Sequence, residues 1–496
     1  MLDAQSCARA LASRDPRFDG VFFVGISTTR IYCRPVCPAR VAYPDHRRFF
    51  PSAAAAERDG FRPCLRCRPE LAPGRALVDA VPRVARAAAL RIAAGALNGQ
   101  GVGELAHELG VGERQLRRAM ERELGVSPLE LAQTHRLLLA KCLLTDTTLP
   151  VTRVAFASGF QSLRRFNTAF HERYRMSPSR LRRHASAPAR TDTPGAPVPD
   201  LVRLTLSYRA PLAWTSLLAE LANDGLPDVA AVEGRRYGRT VALAGCRGIV
   251  LIEDTPIEAD RGRRASPAAH LDVQVSASLL PALMPLLARL RHLLDLDAEP
   301  AVIDAHLAQS GLGAEVRARP GLRLPGGFDG FEIATRELLG SSRLAARLVE
   351  ALGQPIRTAS PLLTRLAPTP DRIAAAGSSV LMALGVPRRR AEPLDRVARA
   401  VASGTLRLEP GADVPSTLRM LRDIPGLGER TATTIVMRAL HWPDAFPATD
   451  ATLQRAARAD GPSALIRMAE RWRPWRAYGA AHLRLGASRS VVHQRS

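Results

Sequence analysis

Four cysteines stand in the stretches IYCRPVCPAR and FRPCLRCRPE, at positions 33, 37, 64 and 67. The spacing Cys33-x3-Cys37-x26-Cys64-x2-Cys67 sets two close pairs a short domain's length apart, the way tetrahedral Zn(Cys)4 sites are assembled. Two inert structural pairs or a thioredoxin-like dithiol are the competing readings, but no βαβ pattern surrounds Cys64-Leu65-Arg66-Cys67. One Zn2+ is the expected cofactor. Four thiolates on Zn2+ carry a net charge of −2, which leaves sulfur electron-rich and nucleophilic. Arg30, Arg34, Arg40, Arg62 and Arg66 crowd the ligands and suit a phosphate held beside that sulfur. Residue types alone rank a purely structural zinc ahead of a reactive one and leave both open. Cys7, Cys142 and Cys246 are isolated and read as small buried hydrophobes.

The rest of the chain bounds what such a site could serve. Seven cysteines in 496 residues are no secreted disulfide scaffold. The start, MLDAQSCARALASRDPRF, lacks the basic and apolar regions of a signal peptide. No apolar run approaches the roughly 18–20 residues that span a bilayer. The expectation is a cytoplasmic protein without a membrane partner. Lys+Arg exceed Asp+Glu by 70 to 47, a net charge of +23, which favours a polyanionic partner, nucleic acid first. Lys141 is the only lysine.

Residues 185–199, ASAPARTDTPGAPVP, read as a linker, and a weaker boundary lies at 72–82. Between them the pattern is helical and repeats itself. LGVGERQLRRAMERELGVSP aligns with SGFQSLRRFNTAFHERYRMSP, pairing Leu116 with Phe166, Met120 with Phe170 and Leu124 with Tyr174. Each copy has a short amphipathic helix, a glycine turn at Gly110 or Gly159, and a second helix with arginine on its outer face. That is a tandem helix-turn-helix. Its groove-facing candidates are Arg114, Gln115, Arg117 and Arg118 in one copy, and Gln161, Ser162, Arg164 and Arg165 in the other. Arginine to guanine is the commonest specific contact, although some of these must touch phosphate or only solvate the helix.

Beyond the linker, LVRLTLSYR, RTVALAGCRGIVLIED and AAHLDVQVS read as strands, and LPALMPLLARLRHLLDL as a helix. From Phe331 onward the pattern is mostly helical. LRDIPGLGERTATTIVMRAL is a helical hairpin hinged at Gly426 and Gly428, where glycine permits close approach and the next helix start suits a phosphate. Asp450 follows, at the start of another helix, a place where an aspartate is most often an N-cap.

TTRIYCRPVCPAR and GFRPCLRCRPE resemble the N-terminal domain of Ada-type adaptive-response regulators over about the first 75 residues. That resemblance implies a methyl acceptor at Cys33, which takes a methyl group irreversibly from a DNA methylphosphotriester. The family's Pro-Cys-His-Arg motif for O6-methylguanine is absent. The tandem helix-turn-helix resembles the AraC-type DNA-binding domain. Residues 200 to about 487, through RPGLRLPGGFDGFE, the hairpin, Asp450 and MAERWRPWRAYGAAHLRLG, resemble AlkA-type 3-methyladenine DNA glycosylases. There the matching Asp450 supports loss of an alkylated base that has been flipped out of the duplex. Lyase chemistry in hairpin glycosylases needs a lysine Schiff base, and Arg430 follows Glu429 here, so a monofunctional enzyme is implied.

Two departures stand out. Only Ser341-Ser342 separate Leu339-Gly340 from RLAARLVEALG, where relatives carry a longer stretch with a side chain that wedges into DNA. Arg430, Thr434 and Arg484 replace pocket aromatics. The expected architecture is multidomain α+β: a zinc-binding α/β domain (1–78), an all-α tandem helix-turn-helix domain (82–184), the linker, a strand-rich subdomain (200–318) and an all-α helix-hairpin-helix glycosylase domain (319–496). The expected function joins methyl transfer to Cys33, transcription regulation and excision of alkylated purines from double-stranded DNA. RNA polymerase is a further expected partner and the monomer the expected state. The alternative is a methylation-activated regulator whose glycosylase half only binds DNA.

Overall fold

The computed structural model describes residues 3–74, 83–184, 200–254 and 269–493; the expected linker at 185–199, and most of the boundary at 72–82, lie outside them. The described residues form two compact units, one from 3–74, 83–184, 200–209, 243–254 and 269–288, the other from 210–242 and 289–493.

The first unit opens with α1 (Ala4–Ser13), capped by Asp3. Strands β1 (Phe23–Ile26), β2 (Ile31–Cys33), β3 (Arg47–Phe50) and β4 (Arg62–Pro63) form a sheet in the order β3-β1-β2-β4. β2 and β4 run parallel, so Cys33 and Cys64 end neighbouring strands on the same side. Helix α2 (Ala53–Arg58) covers this sheet. Seven helices follow: α3 (Arg83–Ala93), α4 (Val102–Glu108), α5 (Glu113–Leu124), α6 (Pro128–Asp146), α7 (Val151–Ala157), α8 (Leu163–Tyr174) and α9 (Pro178–His184). Leu116, Met120 and Leu124 of α5 are buried, as are Phe166, Phe170 and Tyr174 of α8, so the sequence repeat is a repeat of packing. One apolar core runs from Phe23, Tyr32 and Phe61 of the sheet into Leu105, Leu116 and Leu131. The zinc-ligand module and the first helix-turn-helix therefore fold as one body. Strands β5 (Leu201–Ser207), β8 (Cys246–Asp254) and β9 (His270–Ser276) complete this unit, with β9 antiparallel to both others.

In the second unit, α10 (Trp214–Asp224) precedes a hairpin of β6 (Ala230–Glu233) and β7 (Arg236–Leu243). LPALMPLLARLRHLLDL is helical from Leu283, as α11 (Leu283–Leu293), its front turns being 3-10. The remainder is α12 (Pro300–Leu307), α13 (Gly313–Ala318), α14 (Gly330–Leu339), α15 (Ser342–Leu352), α16 (Pro370–Ala383), α17 (Arg388–Ala402), α18 (Val414–Arg422), α19 (Glu429–Ala439), α20 (Ala451–Ala456), α21 (Pro462–Ala469) and α22 (Arg476–His493). A two-stranded ribbon, Gln354–Pro355 with Arg365–Leu366, interrupts the helices. Ile435, Val436 and Ala432 of α19 are buried among α14, α17 and α18, which holds the glycine hairpin rigidly. Among the described residues no helix is long and apolar enough to cross a membrane.

Candidate functional site

The metal centre is built by two parallel strand ends. Cys64 N–H donates to the Tyr32 carbonyl at 3.0 Å and Cys37 N–H to the Arg34 carbonyl at 3.1 Å, which turns both pairs toward one point. The four Sγ atoms lie within 4.8 Å of one another and all four cysteines are buried free thiols. At a Zn–S distance of about 2.3 Å, tetrahedral geometry needs sulfurs about 3.8 Å apart, so the quartet fits one ion and is not two separate pairs. Hydrogen bonds among the four thiols push Cys33 up and Cys64 down, so the bare quartet is part thiol and part thiolate, and a divalent cation would hold all four as thiolates.

The surrounding arginines divide. Arg34 is 5 % exposed and is not available to DNA. It forks onto buried Asp19 and donates to the Cys67 carbonyl at 3.1 Å, while its backbone N–H points to Cys67 Sγ at 3.4 Å. Its expected phosphate contact is thus corrected to a supporting role beneath the ligand, because a guanidinium this deep needs its carboxylate. Arg30, Arg40 and Arg66 are exposed and Arg62 is half-buried. Arg30 lies 5.3 Å from the centre of the Phe61 ring.

A second network ties the ligand loop to α6. Lys141 donates to Glu70 at 2.5 Å and to the Cys64 carbonyl at 3.3 Å. Arg68 spans Glu70 at 3.0 Å and forks onto Asp146 at 2.7 and 2.6 Å. Beside it, buried Glu57 accepts from Tyr32 at 2.9 Å and Thr134 at 2.7 Å, and pairs with Arg173 of α8 at 3.1 Å. Burial pushes the Glu57 carboxyl up, against the pull of Arg173 and Thr134. Sequence reasoning missed this role; the one signal for it was that a chain so rich in arginine keeps a single lysine. Arg68 still pairs with Glu70 when Lys141 is removed, so Lys141→Met is expected to cost less than the roughly 3–5 kcal/mol of a buried charge left without any partner. The loss would be read as hydrogen-exchange protection in α6 and around Cys64; unchanged protection would show the pair to be idle.

On the helix-turn-helix faces, Arg114, Gln115 and Arg118 of α5 are exposed, whereas Arg117 is half-buried and paired with Glu113 at 2.6 Å. Arg164 and Arg165 of α8 are exposed along a cavity of about 730 Å³ that Gln133, Arg136 and Glu172 also line. Ser162 is half-buried and caps α8, its hydroxyl accepting from Arg165 N–H at 3.5 Å. Gln161 is exposed but donates to the Asn98 carbonyl at 2.9 Å.

In the second unit the hairpin turns at Gly426, whose φ of +85° favours glycine. Gly428 caps α19 without a side chain, which leaves the first N–H groups of that helix to an outside acceptor. Asp450 is an N-cap, its Oδ1 accepting from Thr452 N–H at 2.8 Å and Leu453 N–H at 3.1 Å. Its Oδ2 faces Arg430 Nη1 at 3.7 Å. Thr434, Arg438 and Arg484 line a cavity of about 50 Å³ together with Glu220, Asp224 and Glu337, and no aromatic ring lines it. Burial raises the Glu220 and Glu337 carboxyls against the nearby arginines. Asp295 sits deep below, accepting from Tyr478 at 2.7 Å and Leu324 N–H at 3.0 Å, and so ties α22 to the Leu322–Leu324 stretch. Helix α14 ends at Leu339 and α15 begins at Ser342, with Gly340 at φ +59° in the turn, so only Gly340 and Ser341 connect them.

Residues 6–70 match the family described as the metal binding domain of Ada, residues 105–184 a helix-turn-helix domain, and residues 203–329 the AlkA N-terminal domain. Across 97% of its length the chain is 37% identical to the "Probable bifunctional transcriptional activator/DNA repair enzyme AlkA" of Mycobacterium tuberculosis, covering 96% of that protein. The chain belongs to this family. It is also 34% identical to DNA-3-methyladenine glycosylase 2 of Escherichia coli, over 56% of this chain and 95% of that one. A 3-methyladenine DNA glycosylase structure from Archaeoglobus fulgidus covers 57% of this chain and 98% of its own, at 18% identity and a TM-score of 0.46. In this member of the bifunctional AlkA family the buried cysteine quartet is the zinc site of the Ada-type metal binding domain, and the helix-turn-helix makes it a DNA-binding protein.

Proposed function

We propose that the chain senses alkylated DNA by accepting a methyl group on Cys33, regulates transcription through α5 and α8, and excises alkylated purines with its glycosylase-like region after the linker. We assign these roles to residues 1–78, 82–184 and 200–496, the last divided at 318. The observation that carries the first role is the convergence of four buried thiols beneath exposed arginines. Bound zinc would hold those thiols as thiolates. Cys33 is assigned as the acceptor because it stands at the position that takes the methyl group in the Ada-type domain it resembles; of the other ligands, Cys67 Sγ accepts from the Arg34 backbone N–H and the Cys64 carbonyl from Lys141. In the transfer Sγ of Cys33 attacks the methyl carbon, an S–C bond forms, the C–O bond breaks, and the phosphodiester oxygen leaves with the electron pair. Nothing reverses this, because the product is a thioether and a stable diester anion.

The same step is a switch. A thiolate ligand becomes a neutral thioether, the centre goes from −2 toward −1, and repulsion of DNA phosphate falls. On a duplex selected by the protein itself, the methylated form should bind more tightly, with the largest gain at low salt. Equal affinities throughout a salt series would remove the mechanism. Two helix-turn-helix units in one chain let a monomer read two groove segments, and activation requires contact with RNA polymerase.

For excision, the flipped nucleotide would place its deoxyribose toward Asp450, with the hairpin at 426–428 on the backbone phosphates. An N3- or N7-alkylated purine is cationic and leaves as a neutral base, so a carboxylate opposite the developing sugar cation is the main requirement. The sole lysine, Lys141, is buried on Glu70 in the first unit, so no strand nicking should accompany release. The short turn at Gly340 and Ser341 favours slow turnover and already weakened base pairs. Release of alkylated bases from methylated duplex by the full chain tests this role; binding without any release would leave the glycosylase-like region a DNA-binding module only.

A further inference from the structure

Asp450 has one oxygen committed and one not. Oδ1 takes two backbone N–H groups of α20, which fixes the carboxylate and orients Oδ2 outward. The cation facing Oδ2 is Arg430, and at 3.7 Å the contact is longer than a hydrogen bond. The two side chains are unequally placed: Arg430 is 48 % exposed and Asp450 only 14 %. Thus the carboxylate is held and the guanidinium is free to swing.

Arg430 also stands in the first turn of α19, two positions after the cap at Gly428 that carries no side chain and one after Glu429, which pairs with Arg422. A phosphate received by the open N–H groups there would lie within a side chain's length of Arg430. Between Asp450 and such a phosphate the guanidinium has two competing anions, and a phosphate accepts the bidentate fork that a 3.7 Å contact does not form. As long as Arg430 faces Asp450, it also opposes the negative charge that would stabilise a sugar cation.

We propose that Arg430 is a phosphate clamp that exchanges Asp450 for a DNA backbone phosphate when the lesion nucleotide enters, anchoring the strand and uncovering the carboxylate in one movement. The proposal rests on the glycosylase reading for its meaning, but its binding half can be measured without any base release. In the resting protein the pairing has a second effect, since it masks a carboxylate that would repel phosphates during the search along DNA.

The test compares full-length wild type, Arg430→Gln and Arg430→Lys on a duplex holding a tetrahydrofuran abasic analogue, over a salt series. Arg430→Gln should weaken binding about tenfold at low salt and reduce the slope of log K against log salt by about one, the share of one phosphate contact. Arg430→Lys should restore the slope, because it keeps the charge. In single-turnover release of 7-methylguanine, Arg430→Gln should raise the half-saturating protein concentration about as much, with a much smaller fall in the saturated rate. An unchanged salt slope overturns the clamp. A saturated rate that rises in Arg430→Gln, with unchanged affinity, overturns it too, since Arg430 would then only suppress Asp450. If wild type releases no base yet the slope falls as described, the excision reading fails and the clamp stands.

Discussion

Cys33→Ser is expected to abolish methyl transfer from methylphosphotriester DNA, whereas the wild-type chain should take up one methyl group and hold one zinc ion. The serine hydroxyl keeps the size of the side chain but is neither a good zinc ligand nor a nucleophile at neutral pH. The other three thiols remain close enough to hold the metal, since all four Sγ atoms lie within 4.8 Å. Loss of transfer is therefore not loss of the module. Peptide mass spectrometry after incubation with labelled DNA reads the outcome directly, and metal content is measured on the same sample. A label on Cys37, Cys64 or Cys67 shows that the acceptor is misassigned. Stripping the metal with a chelator should also stop transfer, because the buried Cys33 thiol regains its proton.

Asp450→Asn is expected to slow release of 3-methyladenine by about 10²–10³-fold, the usual size of losing one oriented electrostatic contact to a transition state. The substitution separates charge from structure. Asparagine caps a helix about as well as aspartate, so the bonds from Thr452 and Leu453 N–H can persist and α20 stays in place. Only the negative charge on the outward oxygen disappears. Affinity for undamaged duplex should change little. An Asp450→Asn protein as fast as wild type would reduce Asp450 to its capping role.

Much of the site was legible in the residue order because it is set by short-range geometry. Metal ligands come in close pairs, and an amphipathic helix repeats every three or four residues. The quartet, the paired triplets from Leu116 to Tyr174 and the glycine hairpin could thus be read directly. The replacement of pocket aromatics by Arg430, Thr434 and Arg484 was visible only through the resemblance to AlkA-type glycosylases. What each polar side chain does depends on partners far away along the chain. Arg34 looked like a phosphate ligand beside Cys33, but Asp19 lies beneath it and holds it buried.

Lys141 and Glu70 are 71 positions apart and meet only because α6 packs on the loop of Cys64 and Cys67. Glu220 and Asp224 of α10, some two hundred residues before α19, line the same cavity as Thr434. The residue order alone determined the chemistry on offer: four thiols for zinc, arginines for phosphate, a carboxylate after a glycine hairpin. Tertiary structure decided which arginines stay free and which are spent as counter-ions, since burying a charge demands an opposite charge nearby. It also decided that Asp450 meets Arg430, because that distance is set by the shared core in which Met437 of α19 and Leu453 of α20 lie and by no local rule.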